Sequence, residues 1–357
     1  MKKHSLIILL LFTLAACSTE NNPGDKIIGA KIYTYEGDLP DLFSTWNDVG
    51  INTVFASTDL LSNKEFVQLA KSNRIKTFAI LPVFYAPEEL EKDSSLFSIT
   101  NQGKQAQKEW VKFACPSNES FRQKKIDFIT DFVKQNNPDV ISLDFIRHFA
   151  YWEKIYPDML SDSLPNTCFD SRCLNHFQAE TGISIPDDLT TVEIFSWITH
   201  NHFETWVDWK SNLITSMVEE IVTEVKKVDV DIEVNIHAVP WRQKDYDGAI
   251  ISVVGQDFTS LSKYADYISP MTYSHMVKRK PGWIHSVVQD IANISSAKIL
   301  PSIQVDIAYL SDTFTVEEFK QCLDASLLSP SVGVVFWNWD ALYDDKEKLE
   351  VVKNYDF

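Results

Sequence analysis

The sequence has few glycines, few cysteines and no long apolar run, and each shortage excludes a class of protein. Of 357 residues only 10 are Gly and 5 are Cys, while 45% are hydrophobic. This composition excludes a fibrous chain and a disulfide-rich miniprotein. After the N-terminal segment no stretch reaches about 18 consecutive apolar residues, the length that a membrane-spanning helix requires. We therefore expect a globular fold, either one large barrel or two ordinary domains.

Positive charge is also scarce. The chain has 33 Lys and Arg residues against 50 Asp and Glu, which gives a net charge of -17. An acidic surface repels a phosphate backbone, so we expect no nucleic-acid partner. Aromatic residues are abundant, with 10 Trp, 12 Tyr and 22 Phe, and such rings can stack against the faces of sugars as well as fill a core.

The first 17 residues are typical of a secretory signal, with two lysines, an apolar run and a small-residue ending. The ending Leu-Ala-Ala-Cys resembles a bacterial lipobox, which implies cleavage before Cys17 and lipid attachment to its sulfur. The alternative is an ordinary signal peptide with a chance cysteine at the cleavage site. We expect residues 18–26 to form a tether, and the mature protein to be lipid-anchored to a bacterial outer membrane, facing the periplasm or the surface.

Strand-like and helix-like patterns alternate along the rest of the chain. The apolar runs that predict strands are 27–33, 51–56, 75–83, 140–145, 232–237, 267–271, 298–305 and 332–337. The amphipathic stretches that predict helices are 41–49, 64–72, 119–135, 203–228, 258–265, 283–294, 316–328 and 346–353. Eight alternations predict an α/β fold of the (β/α)8 TIM-barrel type over residues 27–357. An open doubly wound sheet is the alternative, but no G-x-G-x-x-G or P-loop sequence follows any strand.

Two long insertions follow strands three and four, over about residues 85–117 and 147–202. Barrel enzymes carry their sites on the loops at the carboxyl ends of the strands. The polar and aromatic residues at these ends should therefore line one common cavity, which we call the bowl. They are Tyr33, Tyr35, Glu36, Ser57, Tyr85, Asp144, Arg147, Asn235, His237, Trp241, Tyr273, His275, Gln304, Asp306, Trp337, Trp339 and Asp340.

A bowl of acids and aromatic rings suits the hydrolysis of a glycosidic bond, which requires two carboxyl groups. The candidates are Asp144, Asp306, Asp340, Glu36 and Glu153. Asp144 is the strongest because it ends an otherwise apolar strand, although it could instead form a structural ion pair with Arg147. Asp306 and Asp340 could equally be solvated loop residues or helix caps.

Several segments resemble known barrels. The run from Asp139 to Arg147, D-V-I-S-L-D-F-I-R, resembles the D-G-I-H-L-D-Y-I-R strand-four signature of glycoside-hydrolase-like lipoprotein barrels. The run 268–273 resembles the M-x-Y strand-six motif that these proteins share with glycoside hydrolase family 18, and 333–337 is similar to their strand-eight Trp. Family 18 would place its catalytic Glu at position 146, which is Ile146 here, so substrate-assisted hydrolysis through that residue is disfavoured.

A second resemblance concerns cysteine. Ala114-Cys115-Pro116 and the segment from Cys168 to Cys173 are similar to the segments that hold a structural zinc in glycoside hydrolase family 42. The resemblance implies zinc ligands at Cys115, Cys168, Asp170 and Cys173, with Asp170 in place of the family's middle Cys. Outside the cytosol, Cys168 and Cys173 could instead form a disulfide, leaving Cys115 free or bonded to Cys322.

We expect a glycoside hydrolase that acts on O-glycosidic bonds of an oligo- or polysaccharide, with Asp144 and Asp306 as the catalytic carboxylates. The residues expected to bind the sugar are Tyr33, Tyr85, Arg147, Asn235, His237, Trp241, Tyr273, Gln304, Trp337 and Trp339. Catalysis should require no cofactor. The alternatives are a non-catalytic glycan-binding lipoprotein with an inactive barrel, and a metal-dependent hydrolase or deacetylase, which would need a His or Asp cluster.

Overall fold

Eight parallel strands form the centre of the molecule in a computed structural model that describes residues 26–357. The strands are β1 (Ile27–Ile32), β2 (Thr53–Ala56), β3 (Lys76–Pro82), β4 (Val140–Asp144), β5 (Glu233–Ala238), β6 (Tyr267–Pro270), β7 (Lys298–Ile299 and Ser302–Gln304) and β8 (Gly333–Trp337). Each lies within one or two residues of an apolar run in the sequence. The predicted signal segment and Cys17 lie outside the described residues.

Strand β7 closes the sheet into a barrel. Its first piece pairs with β6 and its second piece pairs with β8, which in turn pairs with β1. Leu300 and Pro301 separate the two pieces, and a proline interrupts a ladder because it has no N–H to donate. The alternating pattern of the sequence thus predicts the (β/α)8 barrel correctly.

Helices cover the outside of the barrel, and one main helix follows each strand. They are α1 (Leu39–Asp48), α2 (Lys64–Ser72), α3 (Glu119–Asn136), α4 (Phe203–Val228), α5 (Phe258–Leu261), α6 (Gly282–Ala292), α7 (Val316–Leu327) and α8 (Lys346–Lys353). Additional helices are Thr58–Ser62, Pro87–Lys92, Ser171–Thr181, Thr191–Asn201, Ala249–Ser252 and Trp339–Asp344. Within the described residues, no helix is both long and apolar enough to cross a membrane.

The barrel interior is layered, because alternate residues of a strand point to the same side of the sheet. The lowest layer is apolar and includes Phe55 and Phe78, whose rings stack with centroids 4.2 Å apart. Gly29 packs against this layer, and a Cβ there would lie 3.2 Å from the side chain of Val335 and 3.6 Å from the ring of Phe55. The next layer is polar and buried, and it contains Lys31, Ser142, Asn235, His237, Ser269 and Ser302.

The insertions after β3 and β4 stand on the carboxyl ends of the strands. The first contains a short hairpin of the strands Gln107–Lys108 and Val111–Lys112. The second contains the helices Ser171–Thr181 and Thr191–Asn201, and it packs against the start of α4 in a separate hydrophobic cluster. In that cluster the ring of Trp206 lies against Phe169 and Trp209, with centroids 5.1 Å away in both cases. Both insertions are therefore packed structures that wall the same end of the barrel.

Candidate active site

A cavity of about 490 Å³ opens at the carboxyl ends of the strands. Its size is within the range of small-molecule sites. The residues that line it are Lys31, Tyr33, Ser57, Thr58, Ile80, Pro82, Tyr85, Trp110, Asp144, Phe145, Arg147, Trp152, Glu153, Met271, Tyr273, Met276, Tyr309, Trp337 and Asn338. Two of these are carboxylic acids, two are cations and eight are aromatic.

Asp144 reaches the cavity because it continues the inward face of β4. Val140 and Ser142 occupy that face in the lower layers, so Asp144 is the next inward residue and the last of the strand. One carboxylate oxygen accepts the backbone N–H of Phe145 at 2.7 Å. Phe145 has a φ of 50°, in the left-handed region that a non-glycine residue rarely adopts. Such backbone conformations concentrate at functional sites.

Glu153 contributes the second carboxyl group of the cavity. Its side chain is 7% exposed, and Oε2 has no hydrogen-bond partner among the described residues. Burial raises the pKa of Glu153 to about 7, and the positive charge of Arg147 opposes this rise. The group is therefore held partly protonated near neutral pH, as a general acid requires.

Arg147 lies close to both acids without forming a tight ion pair. No carboxylate of the described residues lies within 4 Å of its guanidinium, which donates from Nη1 to the carbonyls of His148 and Ala150. The guanidinium also lies over the ring of Phe113, 4.7 Å from its centroid. Burial lowers the pKa of Arg147 to about 10, and the charges of Glu153 and Asp144 oppose this shift. The structural ion pair that could have explained Asp144 is thus not formed.

A buried polar network lies directly below the cavity. The ammonium of Lys31 donates to the hydroxyl of Tyr273 and faces Nδ1 of His237, both at 3.2 Å. The other ring nitrogen of His237 is 2.8 Å from the hydroxyl of Ser142. Ser302 also donates to the Tyr273 hydroxyl, at 3.3 Å. With two donors on its oxygen, Tyr273 is free to donate its own proton to a ligand in the cavity.

Aromatic rings form the walls. Trp337 stacks on Tyr273 with centroids 4.4 Å apart and an interplanar angle of 14°. On the other side Tyr85 stacks on Phe145 with centroids 4.7 Å apart, and Trp110 meets Tyr85 edge-on. Flat rings that flank two carboxyl groups provide apolar faces for a sugar between polar groups that fix its orientation.

The structure brings together eight of the residues selected from the sequence, and these are Tyr33, Ser57, Tyr85, Asp144, Arg147, Glu153, Tyr273 and Trp337. It does not bring the others to the cavity. Asn235 and His237 lie in the polar layer below it, and Gln304 is buried, accepting the N–H of Met276. Trp241 packs against Tyr246, and Trp339 packs against Trp46. The ring of Trp339 thus faces helix α1, and the ring of Trp241 packs within the loop after β5; neither lines the cavity.

The predicted partner of Asp144 lies elsewhere. Asp306 is exposed, does not line the cavity, and accepts the backbone N–H of its neighbour Ile307 at 2.7 Å. Asp340 lines a smaller surface depression next to Tyr35. Both follow strands, but each lies beyond the last inward position. The role of Asp306 stays a prediction, and Glu153 is the acid that shares the cavity with Asp144.

Several cavity residues were not selected from the sequence. Lys31 had a usable signal, since it is the only charge within the strand Ile27–Ile32. Trp110, Trp152 and Tyr309 belong to long loops, where no periodicity indicates which way a side chain points. For these residues, only the folded arrangement of the insertions identifies the site.

The predicted zinc ligands form a compact cluster outside the cavity. One ligand atom each from Cys115, Cys168, Asp170 and Cys173 lies within 4.8 Å of the others. Cys115 Sγ is 3.1 Å from Cys173 Sγ and 3.3 Å from the Asp170 carboxylate. Three thiols and one carboxylate are a donor set that suits a closed tetrahedral zinc site. The four residues therefore fit the metal that the sequence resemblance implies.

The four cysteines between residues 26 and 357 are not joined by disulfides. Cys115, Cys168, Cys173 and Cys322 are all buried and free. Cys322 lies against Ser274, in the core of the barrel rather than in the insertion. A bond between Cys115 and Cys322 is therefore inconsistent with the fold.

No family model matches the chain, and no curated protein matches it either. The fold is similar to that of solved glycoside hydrolases. The glycoside hydrolase domain of PgaB (BpsB) from Bordetella bronchiseptica aligns with a TM-score of 0.67 at 12% identity, covering 92% of this chain and 98% of that domain. A β-galactosidase from the psychrophilic Marinomonas ef1 aligns with a TM-score of 0.66 at 9% identity, and the alignment covers 88% of this chain and 54% of that one.

A GH42 β-galactosidase from G. stearothermophilus aligns with a TM-score of 0.63 at 10% identity, covering 92% of this chain and 55% of that one. The chain thus spans about half the length of the galactosidases. At these identities the likeness concerns the fold alone. This protein has the TIM-barrel fold of these glycoside hydrolases.

Proposed function

We propose that the protein is a glycoside hydrolase that cleaves an O-glycosidic bond of an oligo- or polysaccharide. The observation that carries the proposal is the pair Asp144 and Glu153, which line one aromatic-walled cavity at the carboxyl ends of the barrel strands. A fold shared with glycoside hydrolases supports the same activity but does not by itself establish a reaction.

Glu153 acts as the general acid. Its buried carboxyl group, with a pKa of about 7, keeps a proton at neutral pH and transfers it to the departing glycosidic oxygen. The charge develops on that oxygen as the bond to the anomeric carbon breaks, so a donor next to it lowers the barrier. Arg147, which touches neither carboxylate tightly, prevents the pKa of Glu153 from rising further.

Asp144 is the second catalytic carboxyl group, and it acts at the anomeric carbon. It is half-buried at the end of β4, open to the cavity, and fixed by the amide of Phe145. As an anion it stabilises the positive charge of the oxocarbenium-like transition state, either by direct attack or by activating water. Tyr273 and Trp337 bind the sugar, the first by its free hydroxyl proton and the second by its ring face.

The turnover of a substrate panel tests this proposal. The panel contains aryl β-galactosides, because two of the compared structures are β-galactosidases, together with a β-galactan, a polymer of N-acetylglucosamine and a polyuronate. We expect one member to be cleaved by the wild type, and Asp144→Asn and Glu153→Gln to lower kcat at least about 100-fold. Asp340→Asn, a strand-end acid outside the cavity, is the matched control and should retain the wild-type rate.

A non-catalytic glycan-binding role predicts a different outcome. Calorimetry would then detect binding of one of these glycans, and prolonged incubation would release no product. The variant Asp306→Asn tests whether Glu153 or Asp306 is the partner of Asp144. Full activity in Asp306→Asn together with loss of activity in Glu153→Gln supports Glu153. Loss of activity in Asp306→Asn together with full activity in Glu153→Gln supports Asp306.

Two further properties belong to the proposal. Zinc held by Cys115, Cys168, Asp170 and Cys173 would tie the insertion after β4 together and take no part in catalysis. The lipobox-like ending at Cys17 supports attachment to a bacterial membrane, most simply the outer one. Mass spectrometry of the mature protein tests the anchor: the wild type should carry acyl chains on its N-terminal cysteine, and Cys17→Ser should not.

A further inference from the structure

Two loops from opposite sides of the barrel meet above the cavity. The turn between the short hairpin strands carries Glu109 and Trp110, and it belongs to the insertion after β3. Tyr309 belongs to the loop after β7. The indole N–H of Trp110 donates to the hydroxyl of Tyr309 at 2.8 Å. Because β3 and β7 are four strands apart in a ring of eight, this hydrogen bond crosses the barrel mouth.

The loop after β4 supports the crossing. The ring of Tyr151 lies edge-on to both Trp110 and Tyr309, with centroids 6.1 and 5.9 Å away. Its hydroxyl donates to Glu109 at 2.8 Å. Lys154 donates to the same carboxylate at 2.7 Å and lies 5.1 Å from the centre of the Tyr309 ring. Five side chains from three loops are thus joined into one structure, which we call the bridge (Glu109, Trp110, Tyr151, Lys154 and Tyr309).

The bridge leaves the cavity with one open side. Behind it, lining residues of the loops after β4 and β6 are buried: Arg147 is 2% exposed, Trp152 1% and Met276 0%, whereas Asp144 and Phe145 at the end of β4 are half-buried. In front of it, on the side of β8, β1 and β2, Tyr33 is 38% exposed, and Ser57 and Trp337 are half-buried. The exposed side of the cavity is therefore at Tyr33, and its buried side is at Trp152. Glu153 lies at the closed end.

We propose, on the basis of the hydrolase function proposed above, that the bridge restricts the enzyme to the ends of glycan chains. An enzyme that cuts within a chain must let the polymer continue on both sides of the scissile bond. Here the bridge and the buried wall stop the chain on one side, and a cavity of about 490 Å³ holds only a short terminal piece. Trp110 and Tyr309 are therefore the residues that determine this specificity.

Product analysis on the polymers named above tests the inference. The wild type should release small sugars from the first minutes while the viscosity of the polymer stays unchanged. An acetal cap on the terminal ring at one end of a labelled oligosaccharide should abolish cleavage. Trp110→Ala combined with Tyr309→Ala opens the far side, so internal fragments should appear and viscosity should fall at least about 10-fold faster per bond cleaved.

Two variants control for indirect effects. Tyr309→Phe removes only the hydroxyl that accepts from Trp110, keeps the ring, and should produce a smaller increase in internal cuts. Tyr343→Ala removes a similarly exposed tyrosine outside the cavity and should leave the product pattern unchanged. Early internal fragments from the wild type, or an unchanged pattern in the double variant, would overturn the inference while hydrolysis itself stands. No product from any substrate would overturn both proposals.

Discussion

The ammonium of Lys31 lies 3.2 Å from Nδ1 of His237, so two basic side chains share a hydrogen bond in the buried layer below the cavity. Burial lowers the pKa of His237 to about 3 and that of Lys31 to about 8, and Asp144 opposes both shifts. Lys31 therefore carries the proton, and neutral His237 accepts at Nδ1 and donates from Nε2 to Ser142. The arrangement fixes Lys31 under Tyr273 as a positive charge that faces Asp144.

Replacing Lys31 should change how stability depends on pH. Its pKa is about 8 in the folded protein against an ordinary 10.5, so folding disfavours the charged form. This cost, about 3 kcal/mol as an order of magnitude, is present below pH 8 and disappears as pH rises towards 10.5. The free energy of unfolding of the wild type should rise relative to Lys31→Met between pH 7 and 10.

Chemical denaturation at the two pH values measures this difference. Lys244→Met, at an exposed position, is the control and should show no pH-dependent difference from the wild type. A difference between the wild type and Lys31→Met that stays constant over this range would contradict the shifted pKa.

Glu153→Gln should stabilise the protein at alkaline pH. The pKa of Glu153 is about 7 against an ordinary 4.5, so the folded state favours the protonated acid. Holding this group in the folded protein costs about 3 kcal/mol at alkaline pH as an order of magnitude, and the cost builds up as pH rises from about 4.5 to about 7. The variant should therefore gain stability at pH 8.5 and little at pH 4, measured by denaturation. The exposed substitution Glu88→Gln should give no such gain.

The cysteine cluster should hold one zinc ion per chain. Cys115→Ser and Cys173→Ser should each lower the zinc content measured by elemental analysis and reduce the free energy of unfolding by about 2 kcal/mol or more. Cys322→Ser provides a matched control, because Cys322 is a buried thiol outside the cluster. Asp170→Asn retains an N-cap for its helix, so a loss of zinc there indicates a ligand role. Wild-type protein without zinc, with Cys168 and Cys173 joined in a disulfide, would contradict this prediction.

Tyr273→Phe should weaken substrate recognition without unfolding the protein. The hydroxyl of Tyr273 accepts from Lys31 and Ser302 and has its own proton free for a sugar oxygen. Loss of such a hydrogen bond should lower kcat/KM by about 10- to 100-fold. Steady-state kinetics on the cleaved aryl glycoside measures the loss. Tyr355→Phe, remote from the cavity, should leave kcat/KM unchanged.

The fold could be predicted from the sequence because each strand is a short apolar run and each main helix has an apolar face. The position of Asp144 followed from the same regularity, since it ends β4 on the inward face. Trp241 and Trp339 follow strands in the same way, yet both rings are buried outside the cavity, against Tyr246 and Trp46 respectively. Once a strand ends, alternation no longer determines which way a side chain points.

The closed end of the cavity could not be predicted for a related reason. Glu153 lies nine residues after the end of β4, within a long insertion whose path depends on packing between distant segments. Trp110 and Tyr309 are 199 residues apart and meet only because their loops fold across the barrel mouth. The sequence offered Glu153 as one of several candidate acids. Its burial beside Arg147, which only the fold reveals, distinguishes it from the exposed Asp306.

The pH dependence of kcat/KM for the cleaved glycoside, in wild type and in Glu153→Gln, tests the central claim most directly. If Glu153 is the general acid, wild-type activity falls as pH rises through about 7, because the proton to be donated is lost. Glu153→Gln should then have low activity, and that activity should not fall as pH rises through about 7. If Glu153→Gln retains both the wild-type rate and the fall in activity near pH 7, the assignment of Glu153 as the catalytic acid is contradicted.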